Sequence, residues 1–328
     1  MSRAQAIGPG GSVGPVRGPA AQVVIDCDPG LDDALALAAL AHLQRVGRVI
    51  VRGVVAVAGN VGLGDTSANA RHLVEQFQLA VGVVDGACEA LDGRLRGDAV
   101  GVHGSDGLGG LRPTPARRPE ALDLAAMHRL VMSMSGTDAE RVLVAVGPLT
   151  NLALLVRHDP HLSRHLDRVV VMGGAFGSPR GNVTDEAEFN AWADPAAWQE
   201  VAAGDLPLEV VPLDVTTRVV LRRDDLSAVG PRSPVGRILA AGIELHERLG
   251  RAAHFEMHDP SAVAAVVAPE LFGWHTGEVE VQTAGPAAGR TDLRAGSRHR
   301  VALEVDTERA RDLLLEALAD TTEREVER

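Results

Sequence analysis

The chain has 328 residues, 45% of them hydrophobic, and carries a net charge of −12 from 32 basic and 44 acidic residues. That length can bury a large core, while the acidic balance disfavours a nucleic-acid or anionic-membrane partner, because phosphate binding needs a basic face. All 32 basic residues are Arg, and Lys and Tyr are absent, which removes every mechanism that needs an ammonium or a phenol.

Residues 1–21 contain GPGGSVGPVRGPA, rich in Gly and Pro and without an apolar h-region, so they are expected to form a disordered leader rather than a signal peptide. No apolar run approaches the roughly 20 residues of a membrane span, which implies a soluble protein. Cys27 and Cys88 do not make a disulfide framework, and a reduced cytoplasm is the expected compartment. Strands are predicted over 22–27, 50–58, 141–146, 168–172, 208–215, 278–283 and 301–305. Most are continuous β-branched runs without polar alternation, as expected of strands covered on both faces. Helical patterns fall between them at 31–43, 65–77, 121–134, 148–158 and 259–269. The alternation predicts an α/β fold with an open, mostly parallel, Rossmann-like sheet flanked by helices. Without an internal repeat or linker, residues 22–320 are expected to form one domain, followed by a charged tail at 321–328.

The polar residues of interest share a location. Asp28 follows the first strand, Asn60 the second, Thr150 the third, and Met172 to Asn190 the fourth. In open parallel sheets ligands bind beyond the carboxyl ends of the strands, so these residues would converge.

The stretch VVIDCDPGLDDALAL (23–37) places Asp26, Asp28, Asp32 and Asp33 within eight residues. Helix capping accounts for Asp32 and Asp33, since carboxylates in a first turn favour the positive dipole end by about 0.3–1 kcal/mol each. It does not account for Asp28, ahead of Pro29 and Gly30. Carboxylates this crowded raise one another's pKa unless a cation sits among them. With no Lys available, a divalent metal is the economical answer, and oxygen donors select a hard ion, Ca²⁺ or Mg²⁺.

DCDPGLDDALA resembles the signature of the nucleoside hydrolases of the inosine–uridine type. Further matches occur in order: VAGN (57–60), VHGSDGLGG (102–110), GPLTN (147–151), MGG…GN…EFN (172–190), PLDVT (212–216) and HDPSAVA (258–264). The resemblance spans about residues 22 to 318. It implies the family's α/β sheet in a homodimer or homotetramer, and a Ca²⁺ held by Asp28, Asp33, Asp259 and the main-chain carbonyl of Thr150. The same ion would take the ribose 2′- and 3′-hydroxyls. Asp32 and Asn60 match ribose-binding positions, while Met172, Asn182, Glu188 and Asn190 match the group around the sugar and its 5′-hydroxyl.

The residue chemistry agrees with that implication. A neutral sugar needs a dense set of fixed donors and acceptors, which Asp, Asn and Glu supply. Cleaving an N-riboside builds an oxocarbenium-like ring that carboxylates and amide oxygens stabilise. Asp28 is the expected general base for the attacking water. His258, beside Asp259, is the expected acid for the leaving base. His103 would support it or shuttle protons. Phe189, Trp192 and Phe255 either line the base pocket or belong to the core.

Other readings compete less well. HDPHLSRH (158–165) spaces three histidines as a zinc site would, but Pro160 and flanking Arg157 and Arg164 indicate a solvated helix junction. Cys27, within a buried strand, is expected in the core. A haloacid-dehalogenase-like phosphatase would share the Asp26–Asp28 spacing, yet it needs a Lys. A non-catalytic Ca²⁺-dependent nucleoside or ribose binder needs neither Asp28 as base nor His258 as acid, so their presence favours an enzyme. The segment 217–257 often carries tyrosines over the base in this family. Here His246, Arg248, His254 and Phe255 remain, so an inosine–uridine or pyrimidine preference rests on His258.

Overall fold

The computed structural model describes residues 21–94, 99–113, 115–136, 138–177 and 180–319. The expected leader therefore lies outside the described residues except for Ala21, which opens the first strand, and the charged tail lies outside them entirely.

In chain order the elements are β1 (Ala21–Cys27), α1 (Leu31–Arg45), β2 (Val49–Ala56), α2 (Leu63–Gln76), β3 (Val83–Asp85), α3 (Val100–His103) and α4 (Leu124–Met132). There follow β4 (Glu140–Ala145), α5 (Thr150–His158), β5 (Arg168–Met172), α6 (Phe189–Ala193), α7 (Pro195–Ala203), β6 (Leu208–Val211) and α8 (Leu213–Thr216). The last are β7 (Val220–Arg222), α9 (Leu226–Val229), α10 (Pro234–Arg248), β8 (His254–Glu256), α11 (His258–Val267), β9 (Phe272–Val281), β10 (Thr291–Val305) and α12 (Thr307–Ala319).

Eight strands form one sheet in the order β3-β2-β1-β4-β5-β6-β10-β9, parallel except for β9, which runs antiparallel to β10. β7 and β8 make a separate antiparallel ribbon. Every residue of β1 is buried, and alternate side chains feed two layers. Val23, Ile25 and Cys27 join the core under α1, α11 and α12. Val24 joins the core under α4, α5 and α7. This two-faced covering is why Val23, Val24 and Ile25 read as an apolar run without polar alternation.

α1 is buried from Leu31 to Leu43 because it packs on α10, α11 and α12 as well as on the sheet. A helix apolar all round suits such a central position. Its first-turn acids, Asp32 and Asp33, are therefore buried too.

The structure corrects one strand. The run expected at 208–215 stops at Val211, and residues 213–216 turn into α8. Pro212 lacks an N–H for the ladder and, as N-cap of α8, starts the helix instead. The expected strand at 301–305 is the end of the longer β10, and the one expected at 278–283 overlaps β9, which stops at Val281. Cys27 lies in the core, its thiol directed at the Val55 carbonyl at 3.6 Å. Among the described residues no helix is long and apolar enough to cross a membrane.

Candidate active site

The turn between β1 and α1 organises the acidic cluster. Asp33 caps its own helix, its Oδ2 accepting from the Gly30 N–H at 2.8 Å and its Oδ1 from the Asp28 N–H at 3.1 Å. From the end of β2, Asn60 donates its main-chain N–H to Asp28 Oδ2 at 2.6 Å. Its side-chain Nδ2 donates to the Asp28 carbonyl at 3.1 Å and to Asp33 Oδ2 at 3.3 Å. Two glycines close on the Asp28 carboxylate. A Cβ on Gly59 would stand 2.0 Å from Oδ2, and one on Gly147 would stand 2.8 Å from Oδ1. No side chain fits at either place.

α11 delivers Asp259 to the same point. Asp32, Asp33 and Asp259 each offer an oxygen, and the three lie within 4.8 Å of one another. Asp28 adjoins this group. Its Oδ1, like Asp32 Oδ1, is buried without a hydrogen-bond partner. An unpartnered buried carboxylate oxygen is costly, so such atoms call for a missing partner. Burial, then repulsion from Asp32, pushes Asp33 up to about 7. Burial likewise drives Asp28 upward, reinforced by Asp33, and Asp259 upward, reinforced by Asp32 and Asp33. A metal ion among these oxygens would satisfy the two orphaned atoms and relieve the repulsion, so the donor set fits a hard cation.

Thr150, the first residue of α5, is buried, and its hydroxyl donates to Asp194 Oδ2 at 2.7 Å. Neither Thr150 nor Asp33 lines the cavity above the cluster.

That cavity is lined by Asp28, Asp32, Asn60, His103, Met172, Asn182, Glu188, Phe189, Asn190, His258 and Asp259. The structure thus gathers nearly all the predicted residues at one place. Glu188 caps α6, its carboxylate accepting from the N–H groups of Gly174, Asn190 and Ala191 at 2.9 to 3.0 Å. Burial pushes Glu188 up despite those bonds. Asn190 donates from Nδ2 to the Val146 carbonyl at 2.8 Å, which leaves its Oδ1 as the free end. Asn182 accepts from the Phe189 N–H at 2.9 Å.

His103 and His258 differ in state. His103 accepts the Leu31 N–H on Nδ1 at 3.1 Å. Asp32 lies 3.8 Å from the same nitrogen and would favour charge. Burial outweighs it and lowers the His103 pKa. An accepting Nδ1 requires the neutral ring with its proton on Nε2. His258 is the opposite case. Burial opposes its charge, but the bond to Glu256 and the charges of Glu256, Asp32 and Glu188 outweigh burial and raise its pKa. Its Nε2 is 3.2 Å from Glu256 Oε2 and its Nδ1 2.8 Å from Thr216 Oγ1. Glu256 itself is held down at about 2; burial opposes this and the His258 contact prevails.

Trp192, His246, Arg251 and Phe255 also line the cavity, whereas Arg248 and His254 do not. Phe255 packs on His246 with ring centroids 5.0 Å apart. Sequence reasoning passed over Arg251 and Glu256. The alternation in HFEMH, with Glu256 two residues ahead of His258, was the available signal for the second.

Comparison with known proteins shows the family. The family model described as inosine-uridine preferring nucleoside hydrolase matches residues 23–312. The non-specific ribonucleoside hydrolase RihC of Klebsiella pneumoniae is 35% identical over 301 residues, covering 87% of this chain and 94% of that one. Its Escherichia coli namesake is 32% identical over 304 residues, covering 90% and 98%. Among solved structures, the plant nucleoside hydrolase PpNRh1 superposes with a TM-score of 0.82 at 31% identity, covering 92% of this chain and 99% of that one. The chain belongs to the inosine-uridine preferring nucleoside hydrolase family and is a ribonucleoside hydrolase, a glycosidase that cleaves N-ribosides.

Proposed function

We propose that this enzyme hydrolyses ribonucleosides to free base and ribose in a Ca²⁺-dependent reaction, with Asp28 as general base and His258 as leaving-group acid. The observation that carries the reading is the pair of buried, unpartnered oxygens on Asp28 and Asp32, next to Asp33 and Asp259 and on the floor of a cavity that His258 also lines. Asp28, Asp33, Asp259 and the Thr150 carbonyl would hold the ion, with Asp32 close enough to share it. When bound, the ion supplies the positive charge that keeps these carboxylates ionised and anchors the vicinal diol of the sugar.

The chain's own groups do the rest. Asp32 and Asn60 orient the ribose, and Asn182, Glu188 and Asn190 enclose its 5′ end beside Met172. Water attacks the anomeric carbon while Asp28 takes its proton. The C–N bond breaks with its electron pair leaving on the base, and His258 gives that base a proton. The surrounding carboxylates and the free Asn190 oxygen stabilise the oxocarbenium-like ring in between. His103, neutral and bearing its proton on Nε2, is suited to donate a hydrogen bond toward the base.

Chelation tests this directly. Stripping divalent ions should abolish base release from inosine and uridine, and added Ca²⁺ should restore it. A stripped sample that keeps most of its turnover would sink the metal mechanism. A panel of nucleosides then reads base preference, for which His258 favours the inosine–uridine or pyrimidine type. Binding of ribosides without release of any base would favour the non-catalytic binder instead.

A further inference from the structure

The ribbon β7–β8 and helix α8 hold His258 from two sides. Val220 pairs with Glu256 across the ribbon, and the Met257 N–H closes onto the Val219 carbonyl at 2.9 Å. Phe255 turns inward on the other face of β8, where it is buried against Gly242 of α10 and fixes the strand. Strand alternation then leaves Glu256 on the opposite face. Its Oε2 meets His258 Nε2 at 3.2 Å, and Thr216, last residue of α8, meets Nδ1 at 2.8 Å. His258 lines the cavity, whereas Glu256 and Thr216 do not. A carboxylate in that place reaches the substrate only through the imidazole.

We infer that Glu256 is a positioning residue for the leaving-group step: with Thr216 it fixes the plane of the His258 ring and holds the Nε2 proton until that contact opens and the proton passes to the departing base. This rests on the assignment of His258 as acid. An imidazole held at one nitrogen can still turn about its side-chain bonds, and one held at both cannot. Only the Nε2 contact has to open for the proton to reach the base, and the Thr216 contact on Nδ1 keeps the ring in place as it does.

The test uses the full-length, Ca²⁺-loaded enzyme, with inosine as a substrate whose base needs a proton and a nitrophenyl riboside as one whose leaving group does not. Glu256→Ala should lower kcat on inosine by on the order of 10²-fold and change the nitrophenyl riboside by less than about twofold. Glu256→Gln keeps an acceptor for Nε2 and should recover at least about tenfold of that loss. In a His258→Ala background, Glu256→Ala should cost nothing more, because two groups acting through one step are not additive. An unchanged inosine rate in Glu256→Ala, equal losses on both substrates, or additive losses in the double variant would each overturn the inference. If the unsubstituted enzyme releases no base from any nucleoside, the hydrolase mechanism above has failed instead. Thermal melting of each variant separates a folding defect from these outcomes.

Discussion

At the residue scale the Asp28 carboxylate is the most constrained group in the site. It is closed in by Gly59 and Gly147, tied at one oxygen by Asn60 and left free at the other. On the proposed mechanism, Asp28→Ala should abolish turnover on every riboside, because it would remove both a ligand and the base. Gly59→Ala should do nearly the same without touching a reacting group, since its Cβ would overlap Oδ2 and displace the carboxylate. A Gly59→Ala enzyme within about tenfold of the parent kcat would mean that the close approach is unimportant. His258→Ala should slow inosine or uridine hydrolysis by about 10²–10⁴-fold and spare a nitrophenyl riboside. Equal losses on both would assign His258 a structural role. Asp28, Asp32 and Asp33 were legible because their crowding poses an electrostatic problem within one short stretch. Glu256 and Arg251 were not, since a single charge in a segment without a clear motif has no such signature.

At the scale of elements, what could be read depended on how each element is buried. β1, β4 and β5 are covered on both faces, and their unbroken Val and Ile runs mark them to within a residue. LEVVPLDV continues such a run past Pro212, so the apolar pattern alone overextended β6; the missing N–H decides. α10 went unread although Ser233 caps it and Pro234 occupies its first turn. The ribbon β7–β8 has three residues per strand, too short for periodicity to register. α1 is the element on which the site depends most, since it carries Asp32 and Asp33 and packs on four helices, α2, α10, α11 and α12. Leu35→Ala, at a position with no exposure, should cost about 2–5 kcal/mol of stability by denaturant titration. A loss under 1 kcal/mol would show that this layer repacks freely.

For the whole molecule, the acidic floor links stability to pH and to metal. Asp33 is pushed up to about 7 by burial and by Asp32, and Asp26 to about 7 by burial, against the Asn151 hydrogen bond. Both native values exceed the unfolded value of 3.8. Their contribution is therefore fully present below about pH 3.8 and is lost as pH rises through about 7. The metal-free protein should melt at progressively lower temperature from pH 5 to pH 8. On the proposed mechanism Ca²⁺ would bind the ionised carboxylates, so protons would compete with it and the stabilisation it confers should grow over the same range. Melting curves in chelator and in Ca²⁺ at several pH values read both trends. A gap that stays constant with pH would contradict the linkage.

The most direct test of the central claim, that the clustered carboxylates hold one hard dication on which catalysis depends, is calorimetric titration of Ca²⁺ into the chelator-stripped enzyme and its Asp33→Asn variant, with base release assayed on the same samples. The account predicts a single site per chain in the parent, turnover that rises in step with its occupancy, and loss of both in the variant. Unchanged binding in Asp33→Asn, or turnover indifferent to occupancy, would contradict it.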